Sequence, residues 1–505
     1  MSRHPYAPND SFDGGTLDCG NGLLLLIRKH IDPLRPGELL EILSAEPSVA
    51  EDLPSWCRLT GNELVSTHED SERRSFLVSK GAFDPSRVGP GQAQREPMPL
   101  TQHVVAVRVP DRLPDPAPAP AIEPLSVMGV GSWPRPRWLL RSLHERLEGR
   151  LSDGEFDDAA RDAVRLSVQA QLRAGVDVVT DGEQRRDNYA SFVGGLLDNC
   201  QLIPLTDLLP YVDHPEAFER ELDALDVPAS EVRHPAVFGP LGRSRPLAVH
   251  EVEFLRQLTD RPIKVALPGP YLLTRTMWME CISDRAYRDR EALAEDVVRV
   301  LREELSFLLA SGAALVQLDE PVLTEVAHGD RREGGRSFMC GALGERGDSR
   351  AELDFAAELL CQLTAGLPEE RLAMHVCRGN WSPDESVALA GDYAPLLPLL
   401  DRVPVGTLVL ELCTPRAGDE SLLRALPETK RIGVGVVNQK RAHVETVGEI
   451  EAKTRRAIEL FGAERVLLNP DCGFATFADN PITATEVAER KLHAIVEASR
   501  RLRGG

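Results

Sequence analysis

A histidine and two cysteines in the C-terminal half of the chain have the types and spacing of metal ligands. His375 and Cys377 are two residues apart in LAMHVC, so on a strand their side chains point to the same face. Cys472 follows the apolar run RVLLN, and Glu411 ends the run TLVLE, where a buried carboxylate needs a partner. Imidazole and thiolate suit tetrahedral Zn²⁺. The four residues predict a zinc site, whereas His-x-Cys alone is more often a core histidine beside a buried cysteine.

Eight short apolar runs, separated by long helical patterns, place these residues at strand ends. Apolar strands covered by helices indicate a parallel sheet. Eight strand–helix units in about 380 residues predict an α/β fold of the (βα)8 TIM-barrel type, in which function lies at the C-terminal strand ends. An open doubly wound sheet is the alternative, but GVGSWP lacks the spacing of a dinucleotide loop. The runs are 125–131, 176–181, 262–267, 314–319, 372–376, 407–411, 432–437 and 465–469.

The motifs at these strand ends resemble the catalytic half of cobalamin-independent methionine synthase. Matching segments occur in order over nearly all of 124–505: GSWPRP (131–136), VVTDGEQRRDNY (178–189), LPGP (267–270), VQLDEPVL (316–323), HVC (375–377), LVLE (408–411), GVGVV (433–437) and NPDCG (469–473). The resemblance implies zinc ligation by His375, Cys377, Glu411 and Cys472, and it favours Glu411 over the alternative ligand Cys413. It also implies that a homocysteine-like amino acid is bound by Ser132, Glu183 and Asp319.

The implied activity is transfer of a methyl group onto a thiol such as homocysteine, forming methionine or a related thioether. Zinc keeps a bound thiol deprotonated and therefore nucleophilic, and Glu411 can yield its place when the thiol arrives. For Glu183 and Asp319 the alternative is a helix cap or a solvated charge, and for Ser132 an ordinary N-cap.

Two departures from the family leave the methyl donor open. The N-terminal half that helps the full-length synthase hold folate polyglutamate is missing, so the resemblance is closest to the shorter, core-only members. Lys440 stands where the family has a proton-donating histidine. With a lowered pKa, Lys440 could protonate a leaving group; the alternative is a solvated lysine.

Residues 1–82 predict a small α/β module that resembles the TusA-like sulfur-carrier family. Its predicted elements are a strand at 16–20, a helix at 22–34, a strand at 38–44, a helix ending at Gly61 and a strand pair at 62–68 and 75–81. The family carries persulfide on a Cys-Pro-x-Pro cysteine, a motif that this sequence lacks. Cys19 is the nearest candidate, with a sulfur-donor protein as the implied partner. The alternative is a docking module in which Cys19 has no chemical role.

Two further segments have a composition typical of connections. Residues 83–123 include PDRLPDPAPAPAIEP and predict a stiff, extended linker, which leaves 124–505 as the barrel domain. The glycine-rich insertion 329–347 follows the fourth strand and predicts either a lid over the site or a plain surface loop.

Composition limits the partners and the compartment. A formal charge of −21 and a pI near 5.1 argue against nucleic acid or an anionic membrane surface as the main partner. Nine cysteines, an odd number without regular spacing, and the lack of a signal-peptide pattern indicate a reducing cytoplasm.

Two other functions fit the same residues. In the first, the zinc enzyme transfers another alkyl group, or uses sulfur from the N-terminal domain. In the second, the protein is a non-catalytic sulfur relay whose zinc is structural.

Overall fold

The computed structural model contains two compact units, residues 1–103 and 104–505. The structure describes residues 4–15, 17, 23–69, 73–84, 104–147, 150–204, 233–278, 283, 286–328, 348–380, 382–476 and 482–504. Within these residues, no helix combines the length and apolar character that crossing a bilayer requires. The three-part division into 1–82, 83–123 and 124–505 stays a prediction.

The N-terminal unit is a four-stranded sheet with two helices. The elements are β1 (Asp10–Asp13), α1 (Leu23–Ile31), β2 (Leu39–Ser44), α2 (Val49–Thr60), β3 (Glu63–Glu69) and β4 (Arg74–Ser79), with strand order β1-β2-β4-β3. Leu23, Ile27, Leu53 and Phe76 belong to its buried core. Gly61 ends α2 in the left-handed conformation, as predicted.

The strand predicted at 16–20 lies, apart from Leu17, outside the described residues. The first described strand is β1, which was not predicted and which pairs in parallel with β2 from Asp10 opposite Leu40 to Asp13 opposite Leu43. The alternating pattern of DSFD, whose Ser11 and Asp13 are exposed, is too polar to be recognised as a strand. Cys19 lies outside the described residues.

The larger unit is built on a six-stranded parallel sheet. Its strands are β7 (Lys264–Pro268), β8 (Leu315–Asp319), β9 (Leu372–Val376), β10 (Thr407–Leu410), β11 (Arg431–Val437) and β12 (Val466–Pro470), ordered β12-β11-β10-β9-β8-β7. All are almost completely buried. This confirms six of the eight predicted runs and the parallel α/β class.

The two remaining runs form single parallel bridges rather than strands. Val127 bridges to Leu468 of β12, Met128 bridges to Val178, and Val179 bridges to Ile263, next to the start of β7. Backbone hydrogen bonds follow the same pairing, since the backbone N–H of Lys264 donates to the carbonyl of Val179 at 2.9 Å.

Helices cover the sheet between successive strands. The helices are α3 (Arg137–Leu147), α4 (Asp153–Ala174), α5 (Val249–Leu255), α6 (Pro270–Met277), α7 (Arg290–Ala310), α8 (Val322–His328), α9 (Ser349–Thr364), α10 (Leu397–Arg402), α11 (Val447–Phe461) and α12 (Thr485–Arg503). Short 3-10 turns occupy Ser191–Gly195, Glu369–Arg371, Glu385–Val387, Ala394–Leu396, Pro415–Ala417, Glu420–Ala425 and Ala463–Arg465. Capping boxes at Ser152 and Thr446 fix the starts of α4 and α11.

Two features of the larger unit were not recognised in the sequence. Strands β5 (Asp198–Pro204) and β6 (Arg233–Gly242) pair antiparallel in a separate two-stranded sheet. Part of the predicted linker packs on this unit, because Asn199 bonds the backbone of Val105 and Arg371 bonds the carbonyl of Ala117. The described residues 104–110 form no strand.

Candidate metal centre and amino-acid site

Three of the predicted ligands converge at the C-terminal edge of the parallel sheet. The ligand atoms of His375, Cys377 and Cys472 all lie within 4.8 Å of one another, and all three residues are buried. His375 Nε2 lies 3.4 Å from Cys472 Sγ. Tetrahedral zinc, with bonds of 2.0–2.3 Å, holds such atoms about 3.6 Å apart.

The other ring nitrogen of His375 is held by the backbone. Nδ1 lies 3.0 Å from the Val409 carbonyl of the neighbouring strand, to which it can only donate. In the neutral ring, Nε2 is then left to accept or to ligate, which is the usual arrangement of a metal-binding histidine.

These three residues change one another's pKa values because they lie so close together. A hydrogen bond from Cys472 lowers the pKa of Cys377 well below its ordinary value, despite burial. Burial opposes a charged imidazole, but the contact with Cys377 and the negative charge of Asp319 outweigh it and raise the pKa of His375 to about 9. The positive charge of His375 therefore balances the buried Cys377 thiolate, and ligation of a metal ion by Nε2 would require the neutral ring.

Glu411 is buried beside this group without belonging to it. Its Oε1 accepts a hydrogen bond from the backbone N–H of Arg378 at 2.9 Å. Burial and the nearby negative charges of Cys377 and Asp471 raise the pKa of Glu411 to about 8. Its role as fourth ligand stays a prediction.

Cys413, the alternative ligand, makes a different contact. Its Sγ lies 2.8 Å from Lys453 Nζ, and burial raises the pKa of its thiol to about 12. Within the described residues, Cys413 is not part of the group that could share an ion.

The donor set fits Zn²⁺. One neutral imidazole nitrogen and two thiol sulfurs are the soft and borderline ligands that zinc selects, and the carboxylate of Glu411 lies nearby. A divalent cation would also supply the positive charge that the buried Cys377, Cys472 and Glu411 need.

Glu183 is held in a strained turn beside this centre. It is a buried non-glycine residue with φ of 56°, a conformation that few non-glycine residues adopt. A Cβ on Gly131 would lie 2.2 Å from Glu183 Oε1, so the carboxylate occupies space that only glycine leaves. Burial raises the pKa of Glu183 to about 7, and the negative charge of Asp319 contributes to the rise.

Arg135, which sequence reasoning missed, holds that turn. Its buried Nη2 donates to the carbonyls of Glu183 and Arg186 at 2.8 and 2.6 Å. Arg135 lies inside the quoted motif GSWPRP, but an arginine between two prolines is usually a surface residue.

Asp319 ends β8 and is linked to a buried polar chain. Its Oδ1 accepts from Gln317 Nε2 at 2.7 Å, and Gln317 Oε1 accepts from Lys264 Nζ at 2.9 Å. Burial raises the pKa of Asp319. The signal for Lys264 in the sequence was a lysine within the apolar run PIKVAL.

Ser132 lies against the loop that carries Cys472. Its Oγ accepts from the backbone N–H of Ala475 at 3.4 Å, and its carbonyl accepts from Phe474 at 3.1 Å. A Cβ on Gly473 would lie 2.1 Å from Ser132 Oγ, so this close approach requires glycine. Ser132 therefore lies next to the group formed by His375, Cys377 and Cys472.

Lys440 is buried rather than solvated. Its Nζ donates to the Ser382 carbonyl, and burial lowers the pKa of its ammonium, against the negative charges of Glu411, Cys472 and Cys377. The alternative of a solvated lysine is wrong. The predicted lid, 329–347, lies outside the described residues.

The fold and the site together define a class: a parallel α/β protein with a buried His/Cys/Cys metal-type group beside two carboxylates at the C-terminal strand ends. Residues 125–208 and 217–500 match the family described as "Cobalamin-independent synthase, Catalytic domain". This match covers well over half of the chain, and the chain belongs to that family.

Individual relatives agree with this assignment. The chain is 26% identical over 376 residues to a protein named methionine synthase from Saccharolobus solfataricus, covering 74% of this chain and 93% of that protein. A methionine synthase from Sulfolobus acidocaldarius is 26% identical over 345 residues, or 68% of this chain and 84% of that protein.

Solved structures share the fold. A B12-independent methionine synthase from Shewanella sp. W3-18-1, in complex with selenomethionine, aligns with a TM-score of 0.56 at 23% identity, over 76% of this chain and 98% of that chain. A putative vitamin-B12 independent methionine synthase from Listeria monocytogenes aligns with a TM-score of 0.53 at 17% identity, over 76% and 99%.

Proposed function

We propose that this chain is a zinc-dependent methyltransferase that moves a methyl group onto the thiol of homocysteine to form methionine. The observation that carries the proposal is the convergence of His375, Cys377 and Cys472 within 4.8 Å, in a chain of the cobalamin-independent synthase family. Glu411 is proposed as the fourth ligand, placed by the N–H of Arg378. A Zn²⁺ held there would keep a substrate thiol deprotonated at neutral pH.

The surrounding residues orient the amino acid. Glu183 and Asp319 are buried carboxylates in one region and are proposed to accept hydrogen bonds from the substrate ammonium. Ser132, beside Gly473, is proposed to bind the amino-acid end as well. Burial of these groups excludes water, which strengthens each charge-assisted contact.

Lys440 is proposed to hold the proton that the departing group of the methyl donor needs. Its Nζ lies in a buried position near the negative charges of Glu411 and both ligand cysteines. A lowered pKa makes an ammonium a better proton donor near neutral pH. The methyl donor itself is left open.

We also propose that the larger unit is an eight-stranded (βα)8 barrel. The six-stranded sheet would be closed by the two bridged segments, which run from β12 through Val127 and Met128, then Val178 and Val179, to Ile263 beside β7. A single ring of strands would explain why all the site residues meet at one rim.

For the N-terminal unit we propose a TusA-like docking or sulfur-carrier domain, supported by its β-α-β-α-β-β order. Cys19 is proposed as the residue that would carry sulfur from a donor protein, and it lies outside the described residues. A cytoplasmic location is supported by the reduced thiols of five described cysteines: Cys200, Cys361, Cys377, Cys413 and Cys472.

The test is transfer of an isotope-labelled methyl group to homocysteine by the zinc-loaded protein, with donors supplied singly. We expect labelled methionine with one donor. Consumption of homocysteine without methionine would favour transfer of another alkyl group, and a folded protein that binds no homocysteine would contradict the proposal.

A further inference from the structure

A buried lysine lies below the proposed amino-acid site. Lys264 begins β7, is 1% exposed, and points its Nζ at Gln317 Oε1, 2.9 Å away. Burying a lysine in an apolar sheet costs free energy unless the ammonium gains a partner. Its burial at the start of β7 therefore requires an explanation.

Gln317 is the partner, and both ends of its side-chain amide are occupied. Oε1 accepts from Lys264, while Nε2 donates to the Val130 carbonyl at 3.1 Å and to Asp319 Oδ1 at 2.7 Å. Gln317 and Asp319 are two residues apart on β8, so both side chains leave the same face. Gln317 is completely buried.

The direction of this amide depends on Lys264. With Lys264 donating, only the NH₂ group can face Asp319, because a flipped amide would set Oε1 against the carboxylate and Nε2 against an ammonium. As an ammonium, Nζ has no lone pair and can only donate, which fixes this direction. Asp319 Oδ1 is thereby held by Gln317, and Oδ2 is the oxygen left for an incoming cation.

We propose that Lys264 is a positioning residue which, through Gln317, sets the Asp319 carboxylate for the α-ammonium of the substrate and so makes the site selective for amino-acid thiols. The inference rests on the proposed function, since it assigns Asp319 to the substrate ammonium. Lys264 itself is not placed in contact with substrate.

The charges around Lys264 support this role. Burial lowers the pKa of Lys264 to about 7, while the negative charges of Asp319 and Glu183 oppose that fall. Lys264 is thus electrostatically linked to both carboxylates that are proposed to bind the ammonium, in addition to its hydrogen-bonded path to one of them.

The test compares two thiols that differ only in the α-amino group. Calorimetric titration of the zinc-loaded protein, in the absence of a methyl donor, gives its affinities for homocysteine and for 4-mercaptobutyrate. The ratio of the two affinities is the preference for the amine. We expect Lys264→Met to lose about tenfold of that preference, the value of one charge-assisted hydrogen bond, with little change for 4-mercaptobutyrate. Lys430→Met is the matched control, because this buried lysine bonds the carbonyls of Val403 and Val405 instead.

Two further variants make the result decisive. Gln317→Met removes the amide that links Lys264 to Asp319 and should give the same loss of preference for the amine. This variant also tests the inference if Lys264→Met does not fold. In Asp319→Asn, adding Lys264→Met should cause no further loss of preference.

Equal loss of affinity for both thiols in Lys264→Met and Gln317→Met would overturn the inference, because a merely structural lysine would behave in that way. Unchanged preference would overturn it as well. Failure of the wild type to bind either thiol would instead contradict the proposed function.

Discussion

His375 donates from Nδ1 to the carbonyl of Val409 at 3.0 Å, across two neighbouring parallel strands. The two residues are register partners of β9 and β10, so the sheet itself selects the tautomer that turns Nε2 toward Cys472. The group formed by His375, Cys377 and Cys472 is therefore oriented by the backbone of the sheet, which does not depend on a bound ion. For this reason we expect loss of the metal to abolish activity without unfolding the protein.

Space for the Glu183 carboxylate depends on Gly131. In Gly131→Ala, the new Cβ would meet Glu183 Oε1 at 2.2 Å and displace the carboxylate. We expect homocysteine affinity, measured by calorimetry, to fall by about tenfold or more, because one charge-assisted hydrogen bond is lost.

Gly129→Ala is the control for this substitution, since a Cβ there meets nothing within 4 Å. It should leave affinity unchanged. Equal affinities in both variants would show that Glu183 does not bind the amino acid.

Homocysteine binding should depend on pH through Glu183. Burial raises the pKa of this carboxyl to about 7, so it is largely neutral below pH 7 and becomes charged as the pH rises through that value. Only the charged form pairs fully with an ammonium, so affinity should increase from about pH 6 to about pH 8. Calorimetry across this range, for wild type and Glu183→Gln, measures the effect. If homocysteine affinity depends on pH in the same way in the wild type and in Glu183→Gln, ionisation of Glu183 does not control binding.

Lys440 should affect turnover more than binding. In Lys440→Met, with the donor that supports labelled methyl transfer, we expect kcat to fall by about 100-fold or more while homocysteine affinity changes little. Arg441→Met is the control, because Arg441 is exposed and pairs with Glu385. A normal kcat in Lys440→Met would remove Lys440 from the proton transfer.

The parallel sheet and the convergence of His375, Cys377 and Cys472 were predictable because apolar runs and strand ends are local signals. His375, Cys377 and Cys472 each follow or end a buried strand, and parallel strands bring their ends to one edge. The antiparallel pair of β5 and β6 was not predicted, since its strands are interrupted by prolines such as Pro235 and carry no simple alternation.

The supporting contacts could not be read from the sequence because they depend on tertiary packing. Arg135 is buried and bonds the carbonyl of Glu183, although its proline-rich sequence is typical of an exposed segment. Lys264 reaches Gln317 only because β7 and β8 are adjacent. Lys440 was expected in solvent as one alternative, but the surrounding strand ends bury it. Charged residues inside apolar runs were the available signal, and only packing shows what they contact.

The most direct test of the central claim is the zinc content of the purified chain and its ligand variants, after chelation and reconstitution, measured by elemental analysis. We expect about one zinc per chain in the wild type and in Cys413→Ser, and almost none in Cys377→Ser or Cys472→Ser, since removing a ligand costs more than the 10–100-fold of a supporting contact. Circular dichroism should show that both depleted variants remain folded. A wild type that takes up no zinc, or a Cys377→Ser/Cys472→Ser double variant that keeps it, would contradict the account.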